Sequence, residues 1–122
     1  REHNAFNSTP LAVLNIARDS MAAVGFSPAT RVFEAAGAGA CLITDAWEGL
    51  ELFLKPEEEV LVARNGAEVA AQLSALTPAR SRAVGAAARA RILAQPTYAR
   101  RGAAVDALLQ EEHARRRKRS VA

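Results

Sequence analysis

With 122 residues the chain has room for one domain, and its single cysteine, Cys41, excludes an intrachain disulfide. The net charge of +3 sits at the end of the chain: Arg115, Arg116, Arg117, Lys118 and Arg119 are five of its sixteen basic residues, and without them the thirteen acidic residues leave a body near −2. That excludes a basic surface spread over the fold; nor does any run approach the roughly 20 apolar residues of a membrane-spanning helix, or a secretory signal open the chain.

Residues 1–10, "REHNAFNSTP", are polar and predict an irregular connecting segment leading from a domain upstream. A chain that begins at Arg1 rather than Met is expected to be a piece of a longer protein. Residues 11–17, "LAVLNIA", suit a short buried strand, and "RDSMAAVG" after them a loop or a single helical turn. Ser27 is a suitable N-cap and Pro28 a suitable first helical residue, so a helix is predicted from there to Gly39, which stops it. "ACLIT" is a second buried strand, and Cys41 within it reads as a small buried hydrophobe. Asp45, with Glu48 three residues on, has capping-box spacing for a helix to about Leu54. Pro56 and three glutamates make a turn before a third strand, "VLVA" at 60–63. Beyond Gly66 the chain reads helical: Val69, Ala70, Leu73 and Leu76 share one face. "TPAR" at 77–80 opens another helix to about Leu93, and Pro96 breaks it. A last helix carries Tyr98, Val105, Leu108 and Leu109 on one face and passes into a basic tail, 113–122, expected to be poorly ordered or a frayed helix.

Strands alternating with helices predict an α/β body, a Rossmann-like three-layer sandwich with a short parallel sheet covered on both faces. Three strands are few for such a domain, so residues 11–112 read as the second half of a sheet whose earlier strands lie elsewhere. Ligands of open parallel sheets bind beyond the carboxyl ends of the strands. Those ends carry Asn15 to Arg18, Thr44 to Glu48 and Arg64 to Gly66, and the helix start Ser27-Pro28-Ala29-Thr30 faces the same edge. Its unpaired N–H groups and positive dipole end suit an anion. Glu34 is the one carboxylate in a helix otherwise small and apolar. A carboxylate only accepts hydrogen bonds, so adjacent hydroxyls such as those of a ribose suit it; pairing with Arg31 or Arg18, or pointing to solvent, accounts for it equally. Asp45 reads as a helix cap or a ligand contact, and Arg18 and Arg31 as surface charges or phosphate neighbours. There is no P-loop or GxGxxG motif, no Cys/His metal cluster and no Ser/His/Asp set.

"RVFEAAGAGACLITD", "EVLVARNGAEVAAQL" and "TYARR" together resemble the C-terminal domain of glycosyltransferases of the two-Rossmann GT-B class, group-1 type, and more closely the spore-maturation CgeB-like proteins. The resemblance covers roughly residues 10–110 and implies a donor nucleotide-sugar-binding domain. Glu34 would hold the ribose hydroxyls, Ser27, Ala29 and Thr30 the donor diphosphate, Arg18 and Arg31 its charge, with Asp45 nearby. It implies no cofactor besides the nucleotide-sugar, a cytoplasmic location, and as partner an upstream Rossmann domain supplying the acceptor site and a catalytic base. The chain departs from the family at two places. Phe26 stands eight residues before Glu34, where relatives often carry an acidic residue, and Pro96 where they often carry His. No catalytic residue is assigned, and the chain alone is expected to bind donor without transferring sugar. A homodimer through the bare sheet edge is a further expectation. Two other functions compete: an interaction or assembly module that keeps the fold, and a nucleic-acid-associated protein acting through its basic tail.

Overall fold

The computed structural model describes residues 2–94 and 98–120. Three strands, β1 (Val13–Asn15), β2 (Leu42–Thr44) and β3 (Leu61–Val62), form one sheet in the order β1-β2-β3. Both pairings are parallel, with Val13 opposite Leu42 and Ile43 opposite Leu61. The expected three-layer α/β body with a short parallel sheet is therefore the observed one.

Successive residues of β2 point to opposite faces, and all three are buried, as a strand covered on both sides requires. On one face Leu42, Val13 and Val60 pack with Val32, Ala35 and Ala36 of α3 (Thr30–Gly37), with Leu50 of α4 (Leu50–Phe53), and with Trp47 and Leu54. On the other, Ile43, Leu61, Cys41 and Ala63 pack with Leu76 and with Val69 of α5 (Gly66–Ala75). Helix α6 (Pro78–Ala94) touches both clusters: Val84 belongs to the second, Ala88 and Ile92 to the first. Gly85 allows this, because it lies against the backbone of Gly39 and Ala40 where α3 turns into β2.

The predicted helix stops are observed more faithfully than the predicted starts. Gly39 has φ +80°; its N–H bonds Ala36 O and that of Ala40 bonds Ala35 O, both at 3.0 Å, which is the Schellman pattern. Thr77 caps α6 by accepting the Arg80 N–H at 3.2 Å. Helix α5 is capped as well, by a residue not expected to do so: Asn65 accepts the Glu68 N–H at 2.9 Å, and Glu68 reaches back to the Arg64 N–H at 2.8 Å.

Four expectations are corrected. Residues 2–8 form helix α1 (Glu2–Ser8), not an irregular segment, and Asn7 within it is buried. "RDSMAAVG" holds a six-residue helix, α2 (Asp19–Val24). The N-cap of α3 is Ala29, not Ser27, and no side chain caps it. Asp45 caps no helix: Gly49, at φ +88°, precedes α4, which has only four residues. The last helix, α7 (Tyr98–Ser120), runs through the basic segment to Ser120, with Glu112 paired to Arg115 and Arg116 at 3.6 and 3.0 Å. The break expected at Pro96 and the last two residues of the tail lie outside the described residues.

Candidate functional site

Helix α3 connects two parallel neighbours, so it runs antiparallel to them and its N-terminus emerges at their carboxyl edge. Its turns separate two kinds of residue. Val32, Ala35 and Ala36 are buried against the sheet, while Thr30, Arg31 and Glu34 are exposed on the other side. The carboxylate expected to sit inside a tightly packed helix is thus on that helix's solvent face, beside two other residues proposed from the sequence. The first N–H groups of α3 have no side-chain cap, unlike those of α5 and α6.

Arg18 stands at the start of α2 and accepts the N–H groups of Met21 and Ala22 on its carbonyl at 2.8 and 2.9 Å. Its side chain and that of Arg31 are exposed and form no ion pair among the described residues. Ser27 is exposed in the loop before Ala29.

Asp45 does a different job from the one its spacing suggested. Both carboxylate oxygens accept the Ala17 N–H at 3.1 Å, and Oδ1 also accepts the Thr44 hydroxyl at 3.2 Å. Thr44 Oγ1 in turn accepts the Asn15 amide at 3.0 Å. Asn15 and Thr44 are buried, so this chain of bonds satisfies two polar side chains at low accessibility and ties the loop after β1 to the end of β2. A pair of polar residues at adjacent strand ends, Asn15 and Thr44, was the sequence signal for it.

The loop before α3 holds an aromatic in an uncommon conformation. Phe26 has φ +51°, where non-glycine residues are rare. Its N–H bonds Glu48 O at 2.7 Å. Its ring lies over Gly49, where a Cβ would come within 2.4 Å of ring atom Cδ1. Phe26 is 56% exposed all the same, so the position eight residues before Glu34 presents an aromatic side chain rather than a carboxylate.

Two cavities formed by described residues bear on the seven residues proposed from the sequence. Arg31 lines a cavity of about 630 Å³ that follows β1 with Phe6, Pro10 and Leu14. A smaller one, about 370 Å³, lies between the loops after β2 and β3, lined by Trp47, Glu51, Arg64 and Glu68 among others, and takes none of the seven. What the structure brings together is the α3 face of Thr30, Arg31 and Glu34, and separately the Asp45 clamp. Among the described residues no three His, Cys, Asp or Glu side chains are grouped as a metal site, and no helix is long and apolar enough to cross a membrane.

A family model described as glycosyl transferase-like matches residues 1–117. The fold overlays on sucrose-phosphate synthase from Thermosynechococcus elongatus with a TM-score of 0.61 at 25% identity. That overlay covers 71% of this chain and 23% of the synthase, so the chain spans about a quarter of that protein. No curated protein matches the chain. The chain belongs to the glycosyl transferase-like family, and its short parallel sheet with flanking helices matches one half of the GT-B glycosyltransferase fold.

Proposed function

We propose that this glycosyl transferase-like chain binds the nucleotide-sugar donor of a glycosyltransferase, and that the exposed face of α3 is where it does so. The observation that carries the reading is the grouping of Thr30, Arg31 and Glu34 on one face of a helix whose N-terminus is uncapped at the carboxyl edge of the sheet. A diphosphate at that start would accept from its first N–H groups, which no side chain caps, and meet the positive end of the dipole. Ser27 and Ala29 lie just before it, and Arg31 and Arg18 add positive charge as the diphosphate leaves. Glu34, one turn further in, would take the ribose hydroxyls. Asp45 serves the site by holding the loop that carries Arg18.

The reading calls for no cofactor besides the donor. It gives the acceptor and the catalytic base to an upstream Rossmann domain of the same protein, and a kinship with the CgeB-like group belongs to it too. The chain by itself would then bind donor and not transfer sugar, because positioning an acceptor in line with the donor carbon supplies much of the rate.

Calorimetric titration of the intact protein with UDP, GDP, TDP and their sugars is the test. One of these is expected to bind, and Glu34→Ala to weaken it by about 1.5–3 kcal/mol, the scale of a hydrogen bond to a charged group. Deleting residues 115–119 should leave that affinity unchanged, whereas a nucleic-acid role for the tail predicts binding that deletion abolishes. An unchanged dissociation constant in Glu34→Ala overturns the ribose assignment.

A further inference from the structure

Helix α7 runs for 23 residues, and all of its described side chains are exposed. Its large apolar residues are not scattered. Tyr98, Val105 and Leu109 follow one another at steps of seven and four, which puts them on one side of the helix, and Leu108 flanks them. Tyr98 is 84% exposed, Val105 55%, Leu108 66% and Leu109 64%. The next step of seven from Leu109 reaches Arg116, while Arg115 stands seven residues from Leu108 and Arg119 three from Arg116. The same side of α7 is therefore apolar over its first turns and cationic over its last two. Glu112, which shares that side, is paired with Arg115 at 3.6 Å and with Arg116 at 3.0 Å. Asp106 and Glu111 fall to either side of the stripe.

We propose that this side of α7 lies on an anionic phospholipid surface. Tyr98, Val105, Leu108 and Leu109 sit at the boundary between headgroups and acyl chains, and Arg115, Arg116 and Arg119 meet the lipid phosphates. A basic helix with an apolar stripe lies in the interface plane, and among the described residues no helix is long and apolar enough to cross instead. The arginine stems can follow the apolar boundary while their guanidinium groups stay at headgroup level. Charge decides between occupants. Residues 98–120 hold seven basic and three acidic residues, and an anionic leaflet attracts each cation near it, by a factor of about five in affinity. A second copy packed on this stripe would set like charges together: in parallel, the two 115–119 segments; antiparallel, that segment against Arg100 and Arg101. A polynucleotide would take the cations but leave the four apolar side chains in water. A lipid surface is the partner that satisfies both halves of the stripe.

Flotation of the intact protein with vesicles tests this, using phosphatidylcholine alone and an equimolar mixture of phosphatidylcholine and phosphatidylglycerol. The protein is expected to float with the mixed vesicles and not with the neutral ones, and less as salt rises. Leu109→Glu should weaken that partition by about tenfold or more, and the pair Arg115→Ala and Arg116→Ala by about tenfold or more. All three residues are exposed, so the fold tolerates these changes. No flotation with the mixed vesicles overturns the proposal, and retention on a single-stranded oligonucleotide in its place assigns the cations to nucleic acid. Loss in the arginine variant with Leu109→Glu unchanged overturns the seating of the apolar stripe. Equal flotation with both kinds of vesicle overturns the role of the arginines.

Discussion

Arg101 lies over the face of Phe33, its guanidinium carbon 4.7 Å from the ring centroid. Phe33 meets Phe53 edge-on at 5.7 Å, and Phe53 meets Trp47 at 6.0 Å. The row ties the first turn of α7 to α3 and α4, and it joins two segments that carry the family resemblance, Arg31-Val32-Phe33-Glu34 and Tyr98 to Arg101. A stacked guanidinium at an exposed site is worth about 0.5–1 kcal/mol. Arg101→Ala should lower the unfolding free energy, read from the shifted urea midpoint, by that amount and speed amide exchange in the first turn of α7. A variant indistinguishable from the parent in both measurements would remove the contact from the account.

Two glycine-to-alanine substitutions should act with opposite sign. A Cβ on Gly85 would stand 2.0 Å from Gly39 O and 3.0 Å from the Ala40 carbonyl carbon, both backbone atoms that cannot rotate away. Gly85→Ala must push α6 off the turn after α3 and should cost about 1–3 kcal/mol or more. Gly102, within α7, has nothing within 4 Å of its Cβ position, and Gly102→Ala should gain roughly 0.5–1 kcal/mol of helix propensity. Denaturant melts of the two variants side by side check both signs.

Asp45→Ala removes the acceptor of the Ala17 N–H and one partner of Thr44. A hydrogen bond to a charged group contributes about 1.5–3 kcal/mol, so destabilisation of that order is expected, with faster exchange at Ala17. If Asp45 capped α4 instead, the faster exchange would appear at residues 47–50 and Ala17 would not change.

Burial raises the pKa of the Cys41 thiol, and Arg80 offsets this in part. The native thiol therefore holds its proton more tightly than the unfolded one. Stability from this group is whole below the ordinary thiol value and falls as pH rises above it, since the unfolded thiol ionises first. The alkaline loss of stability should be shallower in Cys41→Ala, as read from urea midpoints across that range. Iodoacetamide should label native Cys41 far more slowly than the urea-unfolded chain, and equal rates would contradict its burial.

Local chemistry in the sequence settled the order of the three strands and of the helices from α3 onward, though not helix α1. Apolar runs of strand length between capped or glycine-stopped helices left little besides a parallel α/β sheet, and the Schellman turn at Gly39 and the cap at Thr77 act within four or five residues of themselves. Glu34 could also be singled out, as the one carboxylate of an apolar helix. Tertiary structure decided what spacing cannot encode. Asp45 and Glu48 match a capping box, yet the Ala17 amide, 28 residues away, takes the Asp45 carboxylate. Phe26 reads as an ordinary loop residue until Glu48 O and Gly49 fix it at positive φ. Whether Glu34 would be sealed or exposed depended on which side of α3 met the sheet, and Val32, Ala35 and Ala36 decided that by being buried. Short-range hydrogen bonds depend on neighbours the sequence displays; long-range ones depend on which chain ends the packed sheet brings together.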